Sequence, residues 1–365
     1  MSTDFTGYEE IKARHTTGKG FTEHHGGRSV DLVSAASLTP RAIAWLWKHW
    51  LARGKFEVIA GVPGSGKTTI SLDFAAQLTA GGIWPDGARA PIGDVVIWSG
   101  EDDIEDTLLP RFLASGGDCK RLYFAASMND EAGKRPFDPS RDMGALLKQA
   151  EALPSLAMAV IDPVVFAVAG DSHKNAETRR SLGPLISFAE TRNCVVLGVT
   201  HFAKNGSGRD PLERISGSLA FGAAPRLAMV TVKPADLKSK KRLVRAKSNI
   251  GPEGDGFEYA LVQEPLTGYD FGAQRAVWGD PLYGSARDLL AEVEGEEPGR
   301  PPKARDMAAD FLKALLVNGP VPVKTVEKSA AEAGLSWGTV RRAADGLGIV
   351  AQKVGLRDGW EWRLP

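Results

Sequence analysis

The residues best placed to do chemistry lie in one string, Gly61-Val62-Pro63-Gly64-Ser65-Gly66-Lys67-Thr68, which fills every fixed position of G-x-x-x-x-G-K-[ST]. A β-like run over 56–60 precedes it, and a helix-length segment opening at Thr68 and Thr69 follows. The spacing then has a mechanical meaning. Gly61, Gly64 and Gly66, with Pro63 and Ser65 between them, let successive backbone N–H groups converge on nucleotide phosphates, and the helix N-terminus adds its dipole. Lys67 reaches the outer phosphates, and the Thr68 hydroxyl takes one position around Mg²⁺.

Such a metal needs an acidic partner at the end of an apolar strand, and Ala157-Met158-Ala159-Val160-Ile161-Asp162 supplies one in Asp162. Asp162 also has the simpler use of capping the turn before Pro163. Hydrolysis requires a group that orients or deprotonates water. Val96-Ile97-Trp98-Ser99-Gly100-Glu101-Asp102-Asp103 ends a run of strand type in three carboxylates, and Glu101 comes first. The same acids suit the first turn of a helix, so Glu101 carries both readings. His201, which follows the apolar run 194–199, is by itself an ordinary strand-end histidine.

These residues must be positioned by the elements around them. From position 55 onward, apolar runs of strand length at 56–60, 95–99, 122–125, 157–161 and 194–199 alternate with helix-length segments at 71–79, 107–113, 144–153 and 178–191. That alternation predicts an α/β fold with a mainly parallel sheet wrapped by helices. The runs 226–233, 243–247 and 257–262 follow one another directly, so the sheet is expected to end in antiparallel strands, with the core closing near Asp270. The domain division is therefore an arm at 1–30, a core at 31–275, a linker at 276–303 and a small domain at 304–365. The linker reading rests on the acidic, three-proline stretch 292–302.

In the small domain, helical spacing at 304–316, 323–334 and 337–347 is followed by a strand-like alternation over 349–364 that turns at Gly359. This resembles a winged helix-turn-helix, with Arg341 and Arg342 on the third helix. Ten Lys/Arg against seven Asp/Glu in 301–365 make a modest footprint for DNA, so a protein-interaction use stays open. Trp337, Trp360 and Trp362 are expected in its core.

Composition excludes several classes. With 43% hydrophobic and 25% charged residues the chain has ordinary globular usage, and no apolar run is long enough for a membrane span. Cys119 and Cys194 are too few for a disulfide framework or a four-ligand zinc site, which fits a reducing cytoplasm. Lys plus Arg equals Asp plus Glu at 45 each, so global basicity offers no argument for nucleic acid.

The order of pieces is the P-loop, then Ser99-Gly100-Glu101-Asp102-Asp103, then Val160-Ile161-Asp162-Pro163, then Val199-Thr200-His201-Phe202-Ala203-Lys204. Over about residues 40–265 it resembles the RecA-type ATPases, and within them the RepA-like hexameric replicative helicases of plasmids and phages. The resemblance implies a RecA-like core, ATP hydrolysis with Mg²⁺ between subunits of a ring, and movement on single-stranded DNA. It makes Lys67 and Thr68 the Walker A pair, Asp162 the Walker B aspartate, Glu101 the catalytic glutamate and His201 the sensor. It also implies a cation supplied across the subunit interface from K-x-R-x-G. Here Lys247-Ser248-Asn249-Ile250-Gly251 has Asn at the Arg position, leaving Lys247, then Arg245, Arg226 and Arg214 as candidates. The loops 170–177 and 204–214 correspond to the DNA-facing loops, with Lys174, Lys204, Arg209 and Arg214 as phosphate contacts. The cluster 238–242 suits edge protection as well as DNA. A recombinase-like or regulatory ATPase that never unwinds duplex is the alternative, and a DNA-binding regulator that binds ATP without turnover is a third.

Overall fold

The computed structural model describes residues 30–131, 133–170, 174–202, 211–215, 220–234, 240–294, 303–317, 319–353 and 360–364. The expected arm at 1–30, except its last residue, lies outside them. Two compact units are present, divided after residue 295.

The first unit is built on a nine-stranded sheet. A small hairpin comes first, β1 (Trp45–Trp47) with β2 (Leu51–Ala52). The main sheet contains β3 (Phe56–Gly61), β4 (Asp94–Ser99) and β5 (Leu122–Phe124). A second hairpin, β6 (Ser127–Asp130) with β7 (Gly133–Pro136), stands apart from it. The sheet resumes with β8 (Leu156–Asp162), β9 (Val195–His201), β10 (Leu227–Val232), β11 (Lys241–Ser248), β12 (Gly256–Pro265) and β13 (Gly272–Leu282). Its order is β13-β12-β11-β10-β3-β9-β8-β4-β5. Pairing is parallel from β10 to β5 and antiparallel from β10 to β13.

The central strands are apolar throughout because both faces are covered. Along β3, Ile59 enters one core, and Phe56, Val58 and Ala60 enter a second. The first core includes Ile70, Leu72, Phe74, Ala75 and Leu78 of the helix Lys67–Ala80. The second takes Leu185, Phe188 and Ala189 of the helix Gly183–Arg192. Trp47 is stacked between Trp50 at 4.9 Å and Trp84 at 5.2 Å, and it meets Phe74 edge-on, so the β1–β2 hairpin packs on the P-loop helix. Glu57 is fully buried in β3 and accepts the Ala52 N–H at 2.8 Å, with its carboxyl pushed well above the usual range by burial.

The expected linker at 276–303 is corrected over much of its length. Residues 276–282 continue β13, paired with β12, and Ala286–Glu294 is a helix whose Leu289, Leu290 and Val293 enter the second core. Arg242 fastens this helix, donating to the Leu289 carbonyl at 2.8 Å and to Glu292 at 2.6 Å. Gly279, Asp280 and Pro281 lie within this strand, and the long β12 partner continues beside them.

The second unit has helices Lys303–Leu316, Val323–Glu332 and Trp337–Gly346, and a sheet ordered β14 (Val321–Pro322), β16 (Trp360–Arg363), β15 (Val350–Lys353). Ala308, Leu312, Val326, Val340 and Ala343 form its core. Trp337 and Trp362 stack at 5.3 Å against it, whereas Trp360 is 55% exposed and outside the core, contrary to expectation. Alternation puts Trp360 on the same face as Trp362, two places on, but Trp360 is the first residue of β16, paired with Lys353 at the strand end. No helix among the described residues is long and apolar enough to cross a membrane.

One buried acid couples the antiparallel end of the sheet to the P-loop helix. Asp73 accepts the Trp278 indole N–H at 2.7 Å, and burial lifts its carboxyl to about 6 despite that bond. The folded value exceeds the unfolded one of about 4, so the stability Asp73 contributes is complete below pH 4 and is lost as pH rises through 6. In urea unfolding of the chain without nucleotide, the stability of Asp73→Asn relative to wild type is expected to rise by about 1–3 kcal/mol between pH 4.5 and pH 7.5. A pH-independent difference would contradict it.

Candidate functional site

The site is assembled at the carboxyl ends of the parallel strands, the edge where open α/β sheets leave a crevice. Register brings its parts together, with Gly61 beside His201 across β3 and β9, and Ser99 beside Asp162 across β4 and β8. Short strands of matched length thus place four loops in one row.

The P-loop itself turns on glycine. Gly64 and Gly66 have φ of +73° and +98°, a region costly for residues with a Cβ. Nothing lies within 4 Å of where a Cβ of Gly64 would stand, so the concave side of the loop is open. Ser65 is fully buried and closes the turn, its N–H and hydroxyl donating to the Val62 carbonyl at 3.2 and 2.8 Å. The helix Lys67–Ala80 begins immediately, and its first-turn N–H groups have no acceptors within the helix. The Lys67 ammonium, 5% exposed, donates to the Gly61 and Val62 carbonyls at 3.1 and 3.2 Å. Burial lowers it to about 8, with Asp162 and Glu101 opposing, so it is charged at neutral pH.

Asp162 is 6% exposed and accepts the Thr68 hydroxyl at 2.6 Å. Burial raises its carboxyl to about 6, Thr68 holds it back, and Glu101 adds to the rise. The Asp162–Pro163 peptide is cis. The Asp162 carbonyl accepts the Gly100 N–H at 2.8 Å, which seats the acidic turn beside the metal-type pair. Within that turn the three carboxylates separate by partner. Asp103 caps the following helical turn through the Glu105 and Asp106 N–H groups, and Asp102 pairs with Arg111 at 3.2 Å. Glu101 has an exposed side chain and an electrostatic influence on Lys67, Asp162 and His201. His201 is half-buried, lowered by burial and by Lys67, and its Nδ1 has no hydrogen-bond partner among the described residues.

The donor set fits the expected ligands. An open loop of N–H groups with a buried ammonium suits phosphate, and a hydroxyl with a carboxylate offers the hard oxygens that Mg²⁺ takes alongside substrate phosphates. No cluster of three or more His, Cys, Asp or Glu suited to a metal occurs among the described residues.

The other predicted residues lie elsewhere. Leu227 is level with both Glu57 and Ser248, while Thr231 is level with Gly61, so Arg226 and Lys247 stand at the end of the sheet opposite the P-loop. Lys247 donates to the Gly222, Ala223 and Pro225 carbonyls at 2.9, 2.8 and 3.0 Å, closing the helix Ala220–Ala223. Arg245 is buried over the Trp50 ring at 4.7 Å. Arg214 is buried over Phe202 at 4.5 Å. Arg226 is exposed, with no side-chain hydrogen bond or ion pair among the described residues. Lys174 pairs with Glu177 at 3.3 Å on the surface. Lys204 and Arg209 lie outside the described residues. In the cluster 238–242, Lys240 pairs with Glu258 and Arg242 with Glu292. Arg341 and Arg342 are exposed on the helix Trp337–Gly346.

Two residues at the site have no sequence signature. Thr231 meets the Ser65 hydroxyl at 2.7 Å, and Tyr259 donates to the Ser65 carbonyl at 2.7 Å. They come from β10 and β12, 166 and 194 residues away from Ser65, and only strand pairing brings them there.

The Thr68 hydroxyl is the donor that makes a buried carboxylate tolerable. Thr68→Val keeps the shape and removes that donor, and a loss of about 1–3 kcal/mol in urea unfolding at pH 8, without nucleotide, is expected. An unchanged midpoint would mean that the bond contributes nothing to the resting fold.

No curated protein matches the chain. Residues 26–207, which contain the P-loop, the acidic turn, Asp162 and His201, match the family model described as AAA domain.

Proposed function

We propose that the protein is a Mg²⁺-dependent ATPase that works as a single-stranded-DNA-dependent motor, of the kind the RepA-like ring helicases represent. The observation that carries the ATPase reading is the convergence of Lys67, the Thr68–Asp162 pair, Glu101 and His201 on one open phosphate loop. The DNA reading rests on the resemblance in motif order and on exposed Arg341 and Arg342.

Each residue then has a role. Lys67 exchanges the Gly61 and Val62 carbonyls for phosphate oxygens, a swap that needs no change of charge at neutral pH. Thr68 and Asp162 would hold Mg²⁺, which would supply charge to offset that of the outer phosphates. Glu101 is the free carboxylate of the turn and accepts the proton of the attacking water, while Asp102 and Asp103 shape the turn. His201 is neutral at pH 7 and detects the terminal phosphate through a ring that burial keeps uncharged.

Hydrolysis by a head-to-tail oligomer calls for a cation from the neighbouring copy. Lys247, first in rank from spacing, has its ammonium committed to three carbonyls, and Arg245 is sequestered over Trp50. Arg226 is the candidate the geometry favours. Its carbonyl accepts the Asn249 N–H at 2.9 Å, so it stands beside the position where the motif has lost its Arg. The second unit, with three helices and a small sheet, serves as the recruiting module for duplex DNA or a protein partner.

Steady-state ATP hydrolysis with Mg²⁺, with and without single-stranded or duplex DNA, tests the reading. We expect several-fold stimulation by single strands and loss of turnover in Lys67→Ala and Glu101→Gln. Turnover indifferent to every DNA would sink the motor and favour the regulatory alternative. Arg226→Ala should lower kcat by about 100-fold or more. Mixing it with Lys67→Ala should restore measurable turnover, because a Lys67→Ala copy would lend its Arg226 to the intact P-loop of an Arg226→Ala neighbour. Mixtures as inactive as either parent would remove Arg226 from the trans role.

A further inference from the structure

The Ser65 carbonyl and the Gly66 N–H belong to one planar trans peptide and point in opposite directions. Whatever grips that oxygen therefore decides where the N–H points. The gripping group is the phenol of Tyr259, a fully buried residue of β12, which donates to the Ser65 carbonyl at 2.7 Å. We infer that Tyr259 is a positioning residue for nucleotide binding, aiming the Gly66 N–H into the phosphate cradle. This rests on the nucleotide-binding reading above.

The other bonds of the loop leave this plane free. The Ser65 N–H and hydroxyl go to Val62, and the hydroxyl also meets Thr231, which fixes the preceding peptide and the side chain. Gly66 has φ of +98° and no Cβ, so without the phenol the 65–66 plane can turn over at little cost. Leu261, two residues on in β12, closes the same side. A Cβ on Gly66 would stand 2.7 Å from its Cδ1. The phenol cannot drift. Its ring packs on Trp278 at 5.7 Å, and Trp278 is fastened to Asp73 of the P-loop helix. Burial raises the Tyr259 hydroxyl's pKa, so it remains a donor throughout the working range of pH. All of these β12 and β13 residues lie beyond 26–207, so the grip comes from outside the segment that matches the family.

A loop whose peptide has two orientations binds phosphate only in one of them, and affinity falls by the fraction of time spent in the other. Tyr259→Phe removes the donor and keeps the ring. In the full chain, calorimetric titration with Mg²⁺ and ADP is expected to give a Kd roughly three- to tenfold weaker than wild type. With glycine-selective ¹⁵N labelling, the downfield shift of the Gly66 amide proton on ADP addition should shrink in the variant. Arg242→Ala is the companion variant. It releases the helix Ala286–Glu294 from β11 while leaving the phenol and its packing, so it should lower the urea midpoint with Kd unchanged. Wild-type affinity in Tyr259→Phe would overturn the inference, as would weaker affinity with an undiminished Gly66 shift, or an equal loss in Arg242→Ala. If wild type binds no ADP and Lys67→Ala changes nothing, the nucleotide reading fails first and the inference with it.

Discussion

The hydrogen bond from Thr68 to Asp162 joins the first turn of the P-loop helix to the end of β8, and the charge balance of the site hangs on it. Asp162 is an acid that burial would rather protonate. One hydroxyl donor and a nearby ammonium hold it close to ionisation at neutral pH. The same burial draws Lys67 down toward neutrality. The two groups thus restrain each other, and a phosphate with its cation would relieve both. The resting site is arranged at a cost in solvation that the ligand removes.

What could be read from the chain depended on how local the cause was. The P-loop is contiguous, and its glycines are demanded by backbone angles within six residues, so the string alone identifies it. Asp162 is legible because it ends a wholly apolar run, and strands buried on both faces announce themselves that way, whereas His201 stands out only through the resemblance. Glu101 stands out as the first of three acids after the strand, and the partners of the other two set them apart from it, with Asp102 on Arg111 and Asp103 on a helical turn. Tyr259 and Thr231 were invisible. Nothing in their neighbourhoods differs from ordinary strand sequence, and their relation to Ser65 exists only through the pairing of β10 with β3 and the passage of β12 over the loop.

The stretch after residue 275 reads as linker from the acidic, three-proline string 292–302, a composition that says nothing of the strand and helix before it. Gly279, Asp280 and Pro281 stand in that strand. In β13 they are carried by a partner strand of ten residues and by aromatic packing at Trp278. The cationic candidates divide the same way. Sequence spacing favoured Lys247, but a lysine at that position is consumed by the carbonyls of a short helix, which no spacing rule could disclose.

The sheet order has a consequence for where this domain ends. β3, the strand that delivers the P-loop, is flanked by β9 on one side and by β10 on the other, and β10 begins at Leu227. A chain cut after residue 207 would keep the P-loop, the acidic turn, Asp162 and His201 yet leave the P-loop strand as a naked edge, with its hydrogen-bonding groups turned outward and apolar side chains on both faces. Such edges recruit other strands, and self-association would compete with folding. The autonomous piece of this protein is therefore longer than the stretch by which its kinship is recognised, because the strands after the motifs are what seal them in.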